Sequence, residues 1–336
     1  MLRLARTWLW LSVFAATLTV QTSAQNTTTH AFLWSSTAGM QDLGSLGGSS
    51  YASGINNTGQ VVGYYATPEG SYRAFLWTFG GGMQDLGTLG GDFAIASGIN
   101  SAGQVVGGAS TASGAVHAFL WTATSGMQDL GTLGGTSSSA VAINDLGDVT
   151  GSASGVGDIR VVAFRQAPGK KMYGLGTLGY RYSYGYAINA TATVVGASPL
   201  NKNLTPNHAF ICRKGAHMVD LGTLGGDDST ALGISQSEQV VGWSAFNGGY
   251  PFQAFLWTAT SGMQALPTLG GQNSAAQAIN GKSQIVGSSD VSQAGTHAVL
   301  WTTPNQIQDL GTLGGNYAVA QGINDLGQVV GWSTLQ

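Results

Sequence analysis

Residues 91–135 read GDFAIASGINSAGQVVGGASTASGAVHAFLWTATSGMQDLGTLGG, and nearly the whole chain is built from variants of this unit. Short runs of small and branched apolar residues alternate in it with glycine-rich turns. The pattern predicts four antiparallel strands, at residues 94–99, 104–109, 117–122 and 127–130. The segment 100–103 suits a tight turn, because Asn caps such turns and Gly adopts the left-handed backbone they require.

Three motifs of this unit occur seven times each, in constant order, at spacings of 43 to 46 residues. The Ala-Phe-Leu-Trp motif begins at positions 31, 74, 118, 163, 209, 254 and 298. The Asp-Leu-Gly-Thr-Leu-Gly-Gly motif begins at positions 42, 85, 129, 174, 220, 265 and 309. The Ile-Asn-x-x-Gly-Gln-Val-Val-Gly motif begins at positions 55, 99, 143, 188, 234, 279 and 323. Four strands in about 44 residues are typical of a β-propeller blade.

The apolar residues lie on both faces of the predicted strands. Phe119 and Trp121 share one face of the third strand, whereas Ala118 and Leu120 share the other. A strand with two apolar faces is buried on both sides, as in a blade between two neighbours. We therefore predict an all-β fold, a seven-bladed β-propeller of four-stranded repeats.

A β-solenoid is the main alternative for a repeat of this kind, but an open solenoid needs polar caps at its ends. Residues 30–32 enter the repeat at its third strand, and residues 331–333 leave it after the second. We predict that the N- and C-terminal strands share one blade and so close the ring, which also removes exposed sheet edges.

Residues 1–24 differ from the repeats. Arg3 and Arg6 precede an apolar run over residues 8–20, followed by small and polar residues. This pattern predicts a secretory signal peptide, and hence a secreted monomer formed by residues 25–336. Cys212 is the only cysteine, so no intramolecular disulfide can form. It takes a Trp position in an apolar strand, where we expect a buried thiol that packs as a small hydrophobe.

The motifs quoted above, with His30, His117 and His208 each followed by Ala-Phe, resemble the HAF family of extracellular repeat proteins. The resemblance spans about residues 30–333 and implies a protein exported by a bacterium. It implies no reaction and no catalytic residues. Departures from the pattern fall in the fourth and fifth repeats, at Arg165, Gln166, Gly174, Ala192, Ser235 and Glu238.

Two recurring polar positions invite a metal interpretation. The second motif carries Asp42, Asp85, Asp129, Asp220 and Asp309. A single Asp in each blade suits acceptance of backbone N–H groups in its glycine-rich loop better than a calcium site. The His positions tolerate Arg73, Val162 and Gln253, which indicates a solvated strand position. We expect no metal and no cofactor.

Charge is distributed unevenly along the chain. Outside residues 1–24 the chain has ten Lys and Arg; eight lie between positions 160 and 214, where no Asp or Glu occurs. Four tyrosines alternate with other residues over positions 180–186, which predicts one aromatic strand face. Aromatic rings beside cations suit anionic ligands. The candidate ligand-binding residues are Arg160, Arg165, Lys170, Lys171, Tyr180, Arg181, Tyr182, Tyr184 and Tyr186.

These observations favour a non-enzymatic exported scaffold that binds a partner such as an anionic polysaccharide or a cell-surface component. A glycan lyase or hydrolase with its site at the mouth of the ring is a second interpretation. It would need paired acids, or an acid with a Tyr or His base, at one place. A structural protein of the surface or matrix is the third interpretation, and it predicts no pocket.

Overall fold

The computed structural model describes residues 28–204, 206–246, 251–292 and 295–336. The predicted signal peptide lies outside the described residues. These residues form 28 β-strands and one short 3-10 helix, Val156–Asp158. The prediction of an all-β fold is confirmed. In this part of the chain no helix is long and apolar enough to cross a membrane.

Five antiparallel sheets have four strands each, and the other eight strands form one sheet that consists of two antiparallel groups of four. We number these seven groups of four strands as sheets 1 to 7. Sheet 1 contains β3 (Ser50–Ile55), β4 (Val61–Ala66), β5 (Tyr72–Thr78) and β6 (Gly82–Asp85). Sheet 2 contains β7 (Gly90–Ile99), β8 (Val105–Thr111), β9 (Val116–Thr122) and β10 (Gly126–Asp129). Sheet 3 contains β11 (Gly134–Ile143), β12 (Val149–Gly155), β13 (Val161–Gln166) and β14 (Tyr173–Gly174).

Three further sheets follow the same order. Sheet 4 contains β15 (Tyr184–Ile188), β16 (Val194–Pro199), β17 (Asn207–Cys212) and β18 (Val219–Asp220). Sheet 5 contains β19 (Ser229–Ile234), β20 (Val240–Ala245), β21 (Phe252–Thr258) and β22 (Gly262–Ala265). Sheet 6 contains β23 (Gly270–Ile279), β24 (Ile285–Val291), β25 (Thr296–Thr303) and β26 (Gln306–Gly311).

The remaining four strands come from both parts of the chain. Sheet 7 contains β27 (Gly314–Ile323), β28 (Val329–Leu335), β1 (Thr29–Ser35) and β2 (Gly39–Asp42). Strands β1 and β28 pair antiparallel over six residue pairs, from Thr29 with Thr334 to Trp34 with Val329. One parallel contact, between Thr296 and Tyr317, joins sheet 6 to sheet 7.

Sheet 2 confirms the four antiparallel strands predicted for residues 91–135, but its first strand starts earlier than predicted. Gly90 pairs with Thr111, and regular pairing resumes at Ala94 with Ala109 after an irregularity. The glycine-rich stretch extends the strand because its backbone reaches the far end of β8.

Apolar side chains fill the space between successive sheets. Between sheets 1 and 2, Val62 and Leu76 pack with Ala96, Phe119 and Trp121. Similar clusters lie between the other neighbours, including one between sheet 7 and sheet 1. The prediction that the strands are buried on both faces is confirmed. Each fully buried Phe side chain stabilises the fold by about 2 kcal/mol.

The glycine of the Val-Val-Gly sequence allows the first two strands of each sheet to approach closely. In sheet 2 a Cβ at Gly107 would overlap the carbonyl oxygen of Ile95. The pairing register shifts between Ala96 and Gly98, which marks a β-bulge. The same shift occurs in every sheet. Glycine is required here for close approach of the backbone.

The Asn of the Ile-Asn motif joins each sheet to the next. Asn100 Oδ1 accepts the N–H of Gln104 within its own turn, while its Nδ2 donates to the carbonyl oxygen of Asn144 at 3.1 Å. We call the set of these side chains the asparagine belt: Asn56, Asn100, Asn144, Asn189, Asn280 and Asn324. Ser235 takes the seventh position. Its carbonyl oxygen accepts a hydrogen bond from Asn189, but its side chain has no amide that could donate to the carbonyl oxygen of Asn280.

Candidate ligand-binding site

The antiparallel order of the strands gives every sheet two different ends. The asparagine end carries the turns between first and second strands, which hold the belt, and the turns between third and fourth strands. The glycine-loop end carries the loops between second and third strands and the connections between sheets.

The structure separates the predicted basic residues onto these two ends. Lys170 and Lys171 lie in the turn between β13 and β14, at the asparagine end. Arg160 precedes β13 and Arg181 precedes β15, so both lie at the glycine-loop end. Successive connections of an antiparallel sheet lie at opposite ends, and cations that are neighbours in sequence are therefore placed apart.

The prediction of four tyrosines on one strand face is corrected, because β15 begins only at Tyr184. Tyr184 and Tyr186 stack with ring centroids 6.5 Å apart, and burial raises the pKa of both phenols. Tyr180 and Tyr182 lie in the preceding connection, with ring centroids 6.0 Å apart. The burial of Tyr184 and Tyr186 indicates a packing role, whereas Tyr180 lies beside Arg181.

A cleft at the asparagine end, between sheets 3 and 4, is lined by one of the nine predicted binding residues, Arg165. Its volume is about 390 Å³. We call it the basic cleft, and its lining includes Arg165, Tyr173, Ala192, Cys212, Arg213 and Lys214. Lys170 and Lys171 lie just before Tyr173 in the chain, in the turn that leads into this wall.

A cleft at the corresponding place between sheets 1 and 2 shows what the repeat normally builds there. It has a volume of about 470 Å³, and its wall includes Leu76, Gly103 and Trp121. In the basic cleft the equivalent positions hold Arg165, Ala192 and Cys212. At these positions the wall gains one charged side chain, that of Arg165, and loses an indole. These are the departures from the repeat pattern noted in the sequence, and the fold brings them together.

Arg165 is buried in the wall, with 6% of its side chain exposed, and it forms an ion pair with Asp148. Its Nη2 and Nε donate to Asp148 Oδ1 at 2.8 and 3.1 Å, and its Nη1 donates to the Tyr173 hydroxyl at 3.3 Å. Asp148 takes the position that Gln60 and Gln104 have in sheets 1 and 2. Arg165 therefore acts as a fixed, charge-balanced part of the wall.

Arg213 is balanced in a similar way by Glu238 from the neighbouring sheet. Nη2 and Nε of Arg213 donate to Glu238 Oε2 at 2.7 and 2.9 Å. These hydrogen bonds hold the pKa of the Glu238 carboxyl below its usual value. Glu238 stands where the repeat has a turn glycine and retains that left-handed backbone, with φ of 59°. The pair therefore links the turns of sheets 4 and 5.

The two ion pairs leave three lysines of this region uncompensated. Lys170, Lys171 and Lys214 are exposed, and within the described ranges none forms a salt bridge. Lys214 lines the basic cleft, and Lys170 and Lys171 lie in the turn that precedes Tyr173 of its wall. Cys212 is buried in the apolar cluster between sheets 3 and 4, and burial raises the pKa of its thiol. The structure thus confirms the interpretation of Cys212 as a packing residue.

The repeated Asp residues accept hydrogen bonds from their own loops, as predicted. In each of the five, Oδ1 accepts the N–H of the glycine two residues later at 2.6 to 2.8 Å. Among the described residues, no group of three or more His, Cys, Asp or Glu side chains could hold a metal ion.

The sequence interpretation missed the partner of these Asp residues. In four sheets the Asp binds Nδ1 of a His on the adjacent strand at 2.7 to 2.8 Å, as in His117 with Asp129. In sheet 1, Arg73 takes the place of the His and donates to Asp85. Where the cation is absent, as at Val162 and Gln253, the Asp is also absent. This joint loss is a signal that the sequence already contained.

Comparisons with known proteins show the fold. No family model matches the chain, and no curated protein matches it. Among solved structures, a TolB protein from Agrobacterium tumefaciens aligns with a TM-score of 0.51 at 8% identity, over 92% of this chain and 99% of that one. TolB from Acinetobacter baumannii aligns with a TM-score of 0.49 at 10% identity, over 82% of this chain and 65% of that one. A gluconolactonase from Xanthomonas campestris aligns with a TM-score of 0.42 at 11% identity, over 78% and 90%.

The first of these structures carries the conclusion on fold. The chain has repeated four-stranded antiparallel sheets packed face to face, and its architecture is that of a β-propeller. At this level of identity the likeness concerns the fold alone.

Proposed function

We propose that this chain is an exported, non-enzymatic β-propeller of seven blades that binds an anionic ligand, such as a polysaccharide or a cell-surface component, in the basic cleft. Ring closure is supported by the pairing of β1 with β28 and by contacts of β27 with β3. Export is supported by the signal-peptide pattern of residues 1–24.

The observation that carries the binding proposal is the concentration of exceptions to the repeat in one cleft. Arg165, Asp148 and Cys212 replace Leu, Gln and Trp, and the turn residues Ala192 and Glu238 replace glycines. A blade needs none of these changes in order to pack, because the other sheets close with apolar residues. Their coincidence fits a site that has been adapted to a ligand.

The chemistry of the cleft indicates an anion. The uncompensated Lys214 in its lining, with Lys170 and Lys171 in the adjoining turn, attracts negative charge. The Tyr173 hydroxyl is held by Arg165 and can contribute a polar contact, while its ring is partly exposed. Flexible ammonium groups around a small cleft suit carboxylate, sulfate or phosphate groups on a sugar, because each can donate several hydrogen bonds.

The direct test measures binding of a sulfated disaccharide, such as a heparin disaccharide, by titration calorimetry. The variant Lys170→Ser/Lys171→Ser/Lys214→Ser should bind at least about tenfold more weakly. The control Arg160→Ser/Arg181→Ser/Lys202→Ser removes the same charge at the other end and should bind like the unaltered protein. Equal affinity of all three proteins, or no binding of any anionic saccharide on a glycan array, would refute the proposal.

A second variant tests the place of the ligand without changing charge. Cys212→Trp restores the residue of the common repeat and adds an indole to the wall of the cleft. We expect loss of saccharide binding with an unchanged circular dichroism spectrum. Retained binding in a folded Cys212→Trp protein would show that the ligand lies elsewhere.

A further inference from the structure

Two adjacent loops at the glycine-loop end expose aliphatic side chains. The loop between β12 and β13 exposes Val156 by 80% and Ile159 by 55%, and the loop between β16 and β17 exposes Leu204 by 45%. Isolated exposed apolar residues are common on protein surfaces, but grouped ones mark interaction sites. The Val156 side chain lies against Gly134 and the Ile159 side chain against Gly157, yet more than half of each remains exposed.

The equivalent loops of the first two sheets have a different character. The loop between β4 and β5 exposes Glu69, and the loop between β8 and β9 exposes Ala112 and Ser113. Both loops are short hydrogen-bonded turns. The aliphatic tips of sheets 3 and 4 are therefore not a requirement of the repeat.

The connection between sheets 3 and 4 fills the space between the two loops. Tyr182 forms a β-bridge with Val161, next to Arg160. Gly179 packs so closely against the carbonyl group of Leu200 that a Cβ there would overlap it. The connection thus contacts the segment after Arg160 on one side and the loop of Lys202 and Leu204 on the other. We call the exposed residues of these segments the loop patch: Val156, Ile159, Arg160, Arg181, Lys202 and Leu204.

The charge of the loop patch is positive. Arg160, Arg181 and Lys202 are exposed, and no salt bridge involves them in the part of the chain that the structure describes. The Arg181 guanidinium lies 5.7 Å from the centre of the Tyr180 ring, which holds it at the surface. These loops also contain one acidic residue, Asp158. Its carboxylate accepts hydrogen bonds from the backbone N–H and the hydroxyl of Thr136 at 2.8 and 2.9 Å.

We propose that the loop patch docks on an anionic lipid surface, with its aliphatic tips in the headgroup region and its cations against lipid phosphates. Exposed aliphatic side chains gain free energy on entering the boundary between headgroups and acyl chains. A hydrated polysaccharide offers these side chains no such environment. Charge complementarity and the three aliphatic tips together favour a membrane surface over a soluble polyanion. This proposal does not depend on the ligand of the basic cleft.

The test is co-sedimentation with vesicles of a zwitterionic phospholipid, with and without an anionic phospholipid. The protein should bind the anionic vesicles, with each removed cation weakening binding about fivefold. Arg160→Ser/Arg181→Ser/Lys202→Ser should bind on the order of a hundredfold more weakly. Val156→Ser/Ile159→Ser/Leu204→Ser should also lose most of its binding, because its loops no longer insert aliphatic side chains between the headgroups. The variant should keep its fold, since all three side chains are exposed to solvent.

The control is Lys170→Ser/Lys171→Ser/Lys214→Ser, which removes equal charge from the asparagine end and should bind vesicles like the unaltered protein. Absence of binding to anionic vesicles would overturn the proposal. So would vesicle binding that the aliphatic variant retains and the cationic variant loses, because that result indicates a purely electrostatic contact with polyanions. Binding that is lost only in the control variant would move the contact to the other end.

Discussion

The side-chain amide of Asn324 donates to the backbone carbonyl oxygen of Asn56 at 3.0 Å, although 268 residues separate them. Asn56 makes the same bond to Asn100, which lies 44 residues further on. One repeated residue thus links neighbouring sheets identically, whether they are adjacent in the chain or at its two extremes. A buried amide with three partners is costly to remove, because its loss leaves backbone groups unpaired.

The belt gives a test of ring closure. Asn100→Ala and Asn324→Ala should each lower the free energy of unfolding by about 1 to 3 kcal/mol, because each leaves buried backbone groups without partners. In a closed ring the two losses are similar. Chemical denaturation measures both, with Asn305→Ala, at an exposed turn position of sheet 6, as the control. A much smaller loss for Asn324→Ala would indicate that the link between sheets 7 and 1 is weak in solution.

The gap in the belt can be filled. Ser235→Asn supplies the missing amide opposite the carbonyl oxygen of Asn280, and it should raise the free energy of unfolding by about 0.5 to 1.5 kcal/mol. Ser36→Asn, the same substitution at an exposed turn position of sheet 7, is the control and should change little. A Ser235→Asn protein no more stable than the control would mean that the backbone of this turn does not permit the bond.

The buried ion pair of the basic cleft predicts strong coupling between two positions. Arg165→Leu leaves Asp148 buried without its cation and should cost about 3 to 5 kcal/mol. Arg165→Leu/Asp148→Gln restores the pair found in sheets 1 and 2 and should be close to neutral. Denaturation of both single variants and the double variant gives the coupling free energy. Additive losses would contradict the pairing.

Asp85 predicts a pH dependence in sheet 1. Burial opposes its ionisation, but hydrogen bonds from Tyr65, Arg73 and the N–H of Gly87 outweigh burial and lower its pKa. Because the pKa of Asp85 is lower in the folded protein than in the unfolded chain, its ionised form stabilises the fold at pH values above the pKa of an ordinary carboxyl group. This contribution is lost as the pH falls through the pKa of Asp85 in the folded protein. Tyr65→Phe removes the bond of 2.6 Å to Asp85. It should cost about 1 kcal/mol at neutral pH and progressively less in acid.

Thermal unfolding measured across the acid range checks this sign. Tyr72→Phe in the same sheet is the control, since Tyr72 donates to no carboxylate within the described ranges. A difference between Tyr65→Phe and the unaltered protein that grows on acidification would contradict the argument.

Gly107→Ala tests the close approach of the first two strands. The added Cβ would meet the Ile95 carbonyl oxygen and the Phe119 ring, so we expect a loss of about 3 kcal/mol or more. Gly114→Ala is the control: its Cβ meets nothing, and only the left-handed backbone, with φ of 83°, is strained. That change should cost about 1 kcal/mol. Equal losses measured by denaturation would show that packing at Gly107 is loose.

The fold could be predicted from sequence because the same strand and turn pattern recurs in every repeat. Any one segment, such as residues 94–99, could be ambiguous, but seven copies in constant order leave one compatible strand pattern. The bulge opposite Gly107 could not be predicted, because it depends on the approach of two backbones. The asparagine belt could not be predicted either. The sequence indicates that Asn100 caps its own turn, but it does not show that the side chain also donates to a carbonyl group of the next sheet.

The site was predictable in composition but not in position. The cluster of cations from Arg160 to Lys214 is visible in the sequence, yet the strand order places its members at two ends of the molecule. Arg165 looks like a surface cation in the sequence, and only the fold brings it to Asp148. The pairing of His117 with Asp129 was detectable, because both residues disappear together in two repeats.

The distribution of positive charge onto two opposite ends has a consequence for assembly. Strands of about seven residues hold the ends roughly 20 Å apart. A single flat polyanion can neutralise only one of them, so the other stays available for a second contact. In a mixture of two negatively charged partners, one copy of this chain would act as a cross-linker, most effectively when neither partner is in large excess.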